Sequence, residues 1–387
     1  MLDYLYKFFF RKKKITENYE QKNEENFTKN PKDLKHKIDI LNYEENGNEF
    51  SISQDMFDIY TSYKNKQQYI VFANRKKASL DIYSLITNQK ITVLKTNNIS
   101  IENVKYYINK KNNNEYFISK GYSRFYNGRK IGIVLVWDIT NNYKIIFQVE
   151  PEEHSGDDSS LLIFPYFKND IYMVTCTGNK SSYDICYTVV YSLAEKKIIQ
   201  NIKDSNNTDV FLLLSWYNKN NENYYILQFD KYGIEIVNLL KDEKYWKIGP
   251  YIKEHREENF KTGFIYKKDN VDYLCTLSGD NYLDLFNLHK KSVLKSYKIY
   301  DSVYSSFDNH CGSFCNCKII KWSEYVIIYQ STEKILKIFD LKSEKIISNI
   351  EIPRQFVFNI KKLCHKVYGE SLLISFDGGL QLWNIEK

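Results

Sequence analysis

The residues best suited to metal chemistry are gathered in one stretch, His310-Cys311-Gly312-Ser313-Phe314-Cys315-Asn316-Cys317. Thiolates and imidazole are what tetrahedral zinc takes, usually in paired spacings. Here the cysteines stand four and two residues apart and no second ligand pair is evident. The segment reads as a loop with incidental thiols, and no metal or other cofactor is expected. A second group, Glu150, Glu152, Glu153, His154, Asp157 and Asp158, could in principle supply a general acid and base or hold a cation. It falls between two strand-rich stretches, where a solvated crossover loop is the physical expectation. The chain has no glycine-rich phosphate loop, nucleophile elbow or His-Glu metal helix. No catalytic residue is expected, and the chain is read as not an enzyme.

A third group is suited to surfaces. Leu2, Tyr4, Leu5, Phe8, Phe9 and Phe10 run directly into Arg11, Lys12, Lys13 and Lys14. Aromatic side chains beside a basic cluster can dip into an anionic bilayer, so Phe8 to Lys14 is the candidate membrane contact; the competing reading is a tail packed on the protein or a partner. Residues 1–35 are taken as this tail and a polar linker. Asp3 and Lys7 interrupt the apolar run, and the basic cluster follows it rather than preceding it, which is the wrong order for a cleaved signal peptide. No apolar stretch approaches the ~20 residues of a membrane span. Seven cysteines, an odd number, make no disulfide framework and point to reduced thiols in the cytoplasm. The net charge of +7 is modest, and only six of the 55 basic residues are arginine, Arg11, Arg75, Arg124, Arg129, Arg256 and Arg354. Arginine is the main reader of base edges, so nucleic acid is not expected as a partner.

What must position any site is a repeated strand. LDIYSL (Leu80 to Leu85), VLVWDI (Val134 to Ile139), TVVYSL (Thr188 to Leu193), IEIVNL (Ile234 to Leu239), LDLFNL (Leu283 to Leu288), LKIFDL (Leu336 to Leu341) and LQLWNI (Leu380 to Ile385) share one alternating pattern. Their anchors, Tyr83, Trp137, Tyr191, Val237, Phe286, Phe339 and Trp383, are 54, 54, 46, 49, 53 and 44 residues apart. A period near fifty holding only strand signals implies a β-propeller. Composition agrees: 34 tyrosines and 23 phenylalanines carry the apolar bulk, alanine is scarce, and 43% hydrophobic content can fill a large core.

Each anchor strand is preceded by two more strand candidates in fixed order. The first run begins near Met56, Val104, Leu161, Phe211, Phe260, Lys318 and Val357. After a polar turn, the second begins near Gln68, Glu115, Asp170, Tyr224, Tyr273, Tyr325 and Ser371. Segments such as ITVLK from Ile91 and YKIIFQV from Tyr143 supply the fourth, giving four antiparallel strands per blade. The expected fold is all-β, a seven-bladed propeller spanning 36–387. Its last period ends after the third strand. A bare edge there would invite aggregation, so Lys37 to Tyr43 is expected to supply the missing fourth strand and close the ring.

These residues carry a resemblance. Asp280 stands six residues before Phe286 and Asp377 six before Trp383, and Trp137-Asp138 is a literal Trp-Asp pair. The pattern resembles the WD40-repeat family in divergent form, over about nine tenths of the chain. The family's Gly-His pair is not evident, so its buried network of His, Ser/Thr, Asp and Trp is expected to be missing. The resemblance implies a non-catalytic scaffold binding other proteins or peptides. The alternatives are a peripheral membrane adaptor using the tail and, behind it, an enzyme using the central channel.

Overall fold

The structure, a computed structural model, describes residues 31, 34–42, 57–74, 77–109, 113–126, 129–149, 161–167, 170–178, 186–192, 195, 197–203, 212–230, 233–241, 243–248, 260–278, 282–300, 317–330, 334–352, 357–376 and 379–385. Strand β1 (Leu34–Asn42) comes first. The first sheet is β2 (Phe57–Thr61), β3 (Gln68–Asn74), β4 (Ser79–Ser84) and β5 (Lys90–Lys95). The second is β6 (Ile99–Asn109), β7 (Asn114–Tyr126), β8 (Arg129–Asp138) and β9 (Lys144–Val149). The third is β10 (Leu161–Phe167), β11 (Asp170–Gly178), β12 (Cys186–Ser192) and β13 (Lys197–Lys203). The fourth is β14 (Leu212–Asn218), β15 (Asn223–Asp230), β16 (Gly233–Asn238) and β17 (Lys244–Ile248). The fifth is β18 (Phe260–Lys268), β19 (Val271–Ser278), β20 (Tyr282–Asn287) and β21 (Ser292–Lys298). The sixth is β22 (Cys317–Trp322), β23 (Tyr325–Gln330), β24 (Ile335–Asp340) and β25 (Lys345–Glu351). The last holds β26 (Val357–His365), β27 (Gly369–Phe376) and β28 (Gly379–Ile385), with β1 paired antiparallel to β28. The described strands thus form seven four-stranded antiparallel sheets.

The polar turns that reverse the chain between first and second strands close through a left-handed residue. Lys66, Asn113, Glu222, Asn270, Ser323 and Gly369 have φ between 53° and 76° there. Asparagine and glycine tolerate this region best, which is one reason these turns are not built from β-branched residues.

The anchor residue of the repeat marks a β-bulge. Between third and fourth strands the register slips at Ile82/Tyr83, Val136/Trp137, Val190/Tyr191, Ile236/Val237, Leu285/Phe286 and Ile338/Phe339. One extra residue of the outer strand is left without a cross-strand partner each time: Ile91, Ile146, Ile199, Tyr245, Leu294 and Ile347. The β1–β28 pair repeats the device, because His36 faces Trp383 and Ile38 faces Leu382, with Lys37 between them. A bulge adds local twist and turns the outer edge away from neighbouring chains. Strand β1 starts at Leu34, which pairs with Ile385 and is buried, so the strand begins ahead of the expected Lys37 and crosses the expected boundary after residue 35.

Ile91 is 52% exposed, Ile146 44% and Leu294 45%, so these bulge residues place apolar surface on the outer edge. Since β1 carries a lysine at the same point, Ile91→Lys is expected to change stability by no more than ~0.5 kcal/mol. It should also lower light scattering on heating; a loss of thermal stability would show that Ile91 packs on something.

The second position of the repeat is polar yet buried in four sheets, as Asp81, Glu235, Asp284 and Gln381. Outer strands serve the three carboxylates, and the strand's own tryptophan serves Gln381. Lys90 Nζ lies 2.8 Å from Asp81, and Lys244 and Lys247 each lie 3.3 Å from Glu235 Oε1. Ser296 donates to Asp284, and Trp383 Nε1 donates to Gln381 over 3.2 Å. A buried carboxylate needs such partners to stay charged.

The core lies between sheets. One apolar cluster joins Phe57, Ile70 and Leu80 of the first sheet to Val104 and Leu135 of the second and to Leu363, Leu373 and Leu382 of the last. Others join second to third, third to fourth, fourth to fifth, fifth to sixth and sixth to last. The anchors Tyr191, Phe286, Phe339 and Trp383 are buried in these seams. Trp137 Nε1 donates to Ser119 Oγ over 2.9 Å, tying the second and third strands of that sheet. No helix among the described residues is long and apolar enough to cross a membrane.

Candidate functional site

The densest polar chemistry lies where each second strand begins. There the last residue of the anchor segment donates its amide to the residue at the head of that strand. The pairs are Leu85 to Gln68, Ile139 to Glu115, Leu239 to Tyr224, Leu288 to Asp272 and Leu341 to Glu324, over 2.8 to 3.1 Å. This bond fixes the backbone of the head residue and leaves its side chain to reach the preceding sheet. Gln68 donates to the Cys364 carbonyl over 2.6 Å and accepts from the Lys366 amide over 2.8 Å. Asp272 accepts from Trp216 Nε1 over 3.1 Å and from His289 Nε2 at 2.9 Å, with Lys267 3.9 Å away.

Glu115 is the most fully engaged. Its Oε1 accepts from the Tyr63 amide at 2.8 Å and the Tyr106 hydroxyl at 2.9 Å, and its Oε2 accepts from Ser62 Oγ at 3.2 Å. It is buried, and its own amide donates to Thr140 Oγ1 over 2.9 Å. Around it the rings pack closely: Tyr60 stacks on Tyr106 with centroids 4.7 Å apart and on Tyr69 at 5.2 Å, and meets Phe117 edge-on. Burial, and for Tyr106 the neighbouring Glu115, push the Tyr60 and Tyr106 hydroxyls above the ordinary tyrosine range. Both stay protonated, and Tyr106 donates to the Glu115 carboxylate.

Where the last, first and second sheets meet, Lys361 Nζ lies 2.7 Å from Asp58 Oδ1 and donates to the Phe57 carbonyl over 2.9 Å. The Tyr106 amide donates to Asp58 Oδ2 over 2.7 Å. Burial works to raise the Asp58 carboxyl, but Lys361, Lys105 and these hydrogen bonds outweigh it and hold the group below its ordinary value. Asp58 is therefore a charged partner at neutral pH, unlike a general acid, which needs a raised pKa.

His365 completes the junction. Its Nδ1 faces the amides of Val367 and Tyr368 at 3.1 and 3.2 Å and so accepts, which leaves Nε2 to donate to the Leu85 carbonyl over 3.0 Å. That is the neutral imidazole. Burial lowers its pKa from the ordinary 6.5, and the bond to Leu85 only partly opposes the shift. A depressed pKa contributes stability that is present above pH 6.5 and is lost as pH falls through the folded value. The stability gap between wild type and His365→Gln should therefore narrow on going from pH 7.5 to about pH 5 in urea titrations. A gap independent of pH would mean the ring is not held neutral.

These side chains bring together inner strands and strand heads, none of which the sequence reading picked out as sites. Phe8, Phe9, Phe10, Arg11, Lys12, Lys13 and Lys14 lie outside the described residues, as do Glu150 to Asp158, His310 to Asn316, Asp280 and Asp377. Cys317 opens β22. Cys275 is buried and its thiol is pushed up by burial, whereas Cys364 is exposed. Among the described residues no three His, Cys, Asp or Glu side chains are placed to hold a metal ion.

No family model matches the chain, and no curated protein matches it. Among solved structures, the chain is similar to the mercury-soaked crystal structure of BBS1N in complex with ARL6DN. The TM-score is 0.61 at 9% identity, over 92% of this chain and 98% of that one. The fold is a β-propeller. Its blades are four-stranded and antiparallel. In all, 1133 chains of solved structures match, so the likeness speaks to the fold and leaves function to the residues.

Proposed function

We propose that this chain is a non-catalytic protein-interaction platform, a divergent WD40-like ring of seven blades closed by β1, acting as a subunit of a larger assembly. The observation that carries the reading is the way polar side chains at three strand heads bind a blade to the one before. Gln68 holds the Cys364–Lys366 turn, Glu115 holds Ser62 and Tyr63, and Asp272 holds Trp216. Buried carboxylates that sites for turnover would leave open to substrate are here occupied by backbone and side-chain donors. A ring tied in this way holds many loops on a rigid body, where binding residues can vary without disturbing the core. The likeness to BBS1N, which was crystallised in complex with ARL6DN, supports a protein partner by analogy.

The test is mild isolation of the epitope-tagged full-length protein from its native cells, followed by quantitative mass spectrometry. A few companions in fixed stoichiometry are expected. A protein recovered alone with the tag at either end, which in purified form turned over a small-molecule substrate, would end the platform reading.

A further inference from the structure

Three turns meet where the last blade touches the first. The β2–β3 turn holds Tyr63, Lys64 and Lys66, the turn after β4 holds Ile86, and the β26–β27 turn holds Lys366 and Val367. Hydrogen bonds join them: Gln68 at the head of β3 accepts from the Lys366 amide through its side chain and from the Leu85 amide through its carbonyl, and the Leu85 carbonyl accepts from His365. Each turn displays one large apolar side chain to solvent. Val367 is 64% exposed, Tyr63 45% and Ile86 41%. The backbone beneath each is tied down, because the Val367 amide donates to His365 Nδ1, the Tyr63 amide to Glu115 and the Ile86 amide to Ser84 Oγ, over 2.8 to 3.3 Å. The three side chains are thereby held outward on rigid turns. Lysines flank them. Lys64, Lys66 and Lys366 are exposed, none of them is in an ion pair with a described residue, and Lys66 Nζ lies 3.7 Å over the Tyr63 ring. Residues 62–67, 85–89 and 365–369 contain no aspartate or glutamate. Of the carboxylates close by, Glu115 is buried and occupied, and Glu370 follows on β27.

We propose that this corner of the propeller is a docking surface for an anionic lipid bilayer. Apolar side chains projecting from turn tips and flanked by lysines suit the boundary between headgroups and acyl chains. Val367 and Ile86 enter the apolar layer, the Tyr63 ring sits at its edge with the hydroxyl in water, and the ammonium groups stay among the anionic headgroups on their flexible stems. A protein partner gains most from side chains buried in one central pocket sealed from water; here the apolar groups stand on three separate turns, among positive charge that no local carboxylate balances. The place where the chain enters the propeller is the second argument. Leu34 opens β1 opposite Ile385, and the neighbouring Asn384 donates to the Tyr368 carbonyl over 3.4 Å. The chain ahead of β1 is therefore attached beside the β26–β27 turn. Lys14 stands 20 positions before Leu34, a reach of up to ~70 Å, so the aromatic and basic residues Phe8 to Lys14 and the three turns can meet one membrane together. Two weak attachments give stable anchoring where one gives marginal binding. A propeller docked by one corner leaves its other surfaces to protein partners, so the platform reading neither requires nor excludes this surface.

The experiment is flotation of the purified full-length protein with vesicles of about 30% phosphatidylserine in phosphatidylcholine, in about 100 mM salt, where the Debye length is about 10 Å. K64E/K66E/K366E is expected to lower vesicle affinity at least about tenfold, and I86S/V367S at least about fivefold. The control K77E/K95E/K334E makes the same charge change on exposed lysines at the opposite ends of the strands, before β4, at the end of β5 and before β24. It should change affinity less than about twofold, and vesicles of phosphatidylcholine alone should bind wild type at least about tenfold more weakly. Each variant is checked for an unchanged thermal transition, and K64Q/K66Q/K366Q, with an intermediate loss expected, replaces the charge reversal if that variant fails to fold. The chain lacking residues 1–33 should still bind more tightly than its own K64E/K66E/K366E version. Absence of wild-type flotation, equal losses in patch and control variants, or equal binding to vesicles without phosphatidylserine would overturn the proposal. So would flotation unchanged in both patch variants, which would leave residues 1–33 alone responsible. Protein companions lost from native cells in K64E/K66E/K366E while flotation persists undiminished would overturn it too, and would make the corner a protein site.

Discussion

Deleting residues 1–42 should abolish the folded monomer, while deleting residues 1–33 should leave its thermal transition in place. The difference between the two truncated chains is β1. It supplies the fourth strand beside β28, with a register running from Leu34 opposite Ile385 to Asn42 opposite Gly379. Leu34 and Ile40 are 3% and 5% exposed, and they belong to two different apolar clusters, one reaching the sixth blade and one reaching the first and second. Removing them strips two side chains worth ~1.5–3 kcal/mol each from the seams. It also uncovers the backbone edge of β28, whose Leu380 and Leu382 are fully buried. An apolar strand with an unpaired edge is a template for aggregation. Since a whole domain is stable by only ~5–15 kcal/mol, the longer deletion should leave no folded species. Size-exclusion chromatography and calorimetry of the two truncated chains decide it, and a folded, monomeric 43–387 fragment would refute the role given to β1.

How far this could be read beforehand differs from residue to residue. Period, strand number and strand order were open in the sequence, because alternation of side chains is a property of single strands and Tyr83, Trp137 and their counterparts repeat it without any need of partners. The donor of the missing strand was open too, since a bare β28 edge is a defect that something must cover. The bulge at each anchor was hidden, as it exists only between two strands. Its trace in the sequence is the Lys-Ile or Lys-Tyr pair that opens β5, β9, β13, β17 and β25. The strand-head ties were half visible. Gln68-Tyr69, Glu115-Tyr116, Tyr224-Tyr225, Asp272-Tyr273 and Glu324-Tyr325 recur in register, polar or tyrosine followed by tyrosine. Read along one strand, the first of each pair is only a polar residue leaving a turn; the burial of Gln68, Glu115 and Asp272 comes with the neighbouring blade, which no local pattern contains. Lys361 meeting Asp58 is the extreme case, two residues 303 positions apart. His289 and Asp272 became legible only once the fifth blade folded one over the other.

Glu115→Ala should be among the most damaging single substitutions in the chain, costing ~3–5 kcal/mol, whereas Glu115→Gln should cost ~1 kcal/mol. Alanine removes the acceptor of three donors at once, the Tyr63 amide, the Tyr106 hydroxyl and Ser62 Oγ. Tyr106 has a second contact only at 3.5 Å, to the Thr61 carbonyl, so its hydroxyl would be left poorly served among the stacked rings of Tyr60 and Phe117. Each buried donor left without an acceptor costs ~1–3 kcal/mol. Glutamine keeps a carbonyl oxygen that can take the place of Oε1, and the Ser62 hydroxyl can rotate to accept from the new amide. What it loses is charge assistance, which roughly doubles the strength of such bonds. Denaturant titration of both variants, together with a cycle through Tyr106→Phe, separates the terms. Coupling of ~1 kcal/mol or more between Glu115 and Tyr106 is expected for a shared buried network. Additive effects, or equal costs for alanine and glutamine, would show that Glu115 fills space at the seam without tying the first blade to the second.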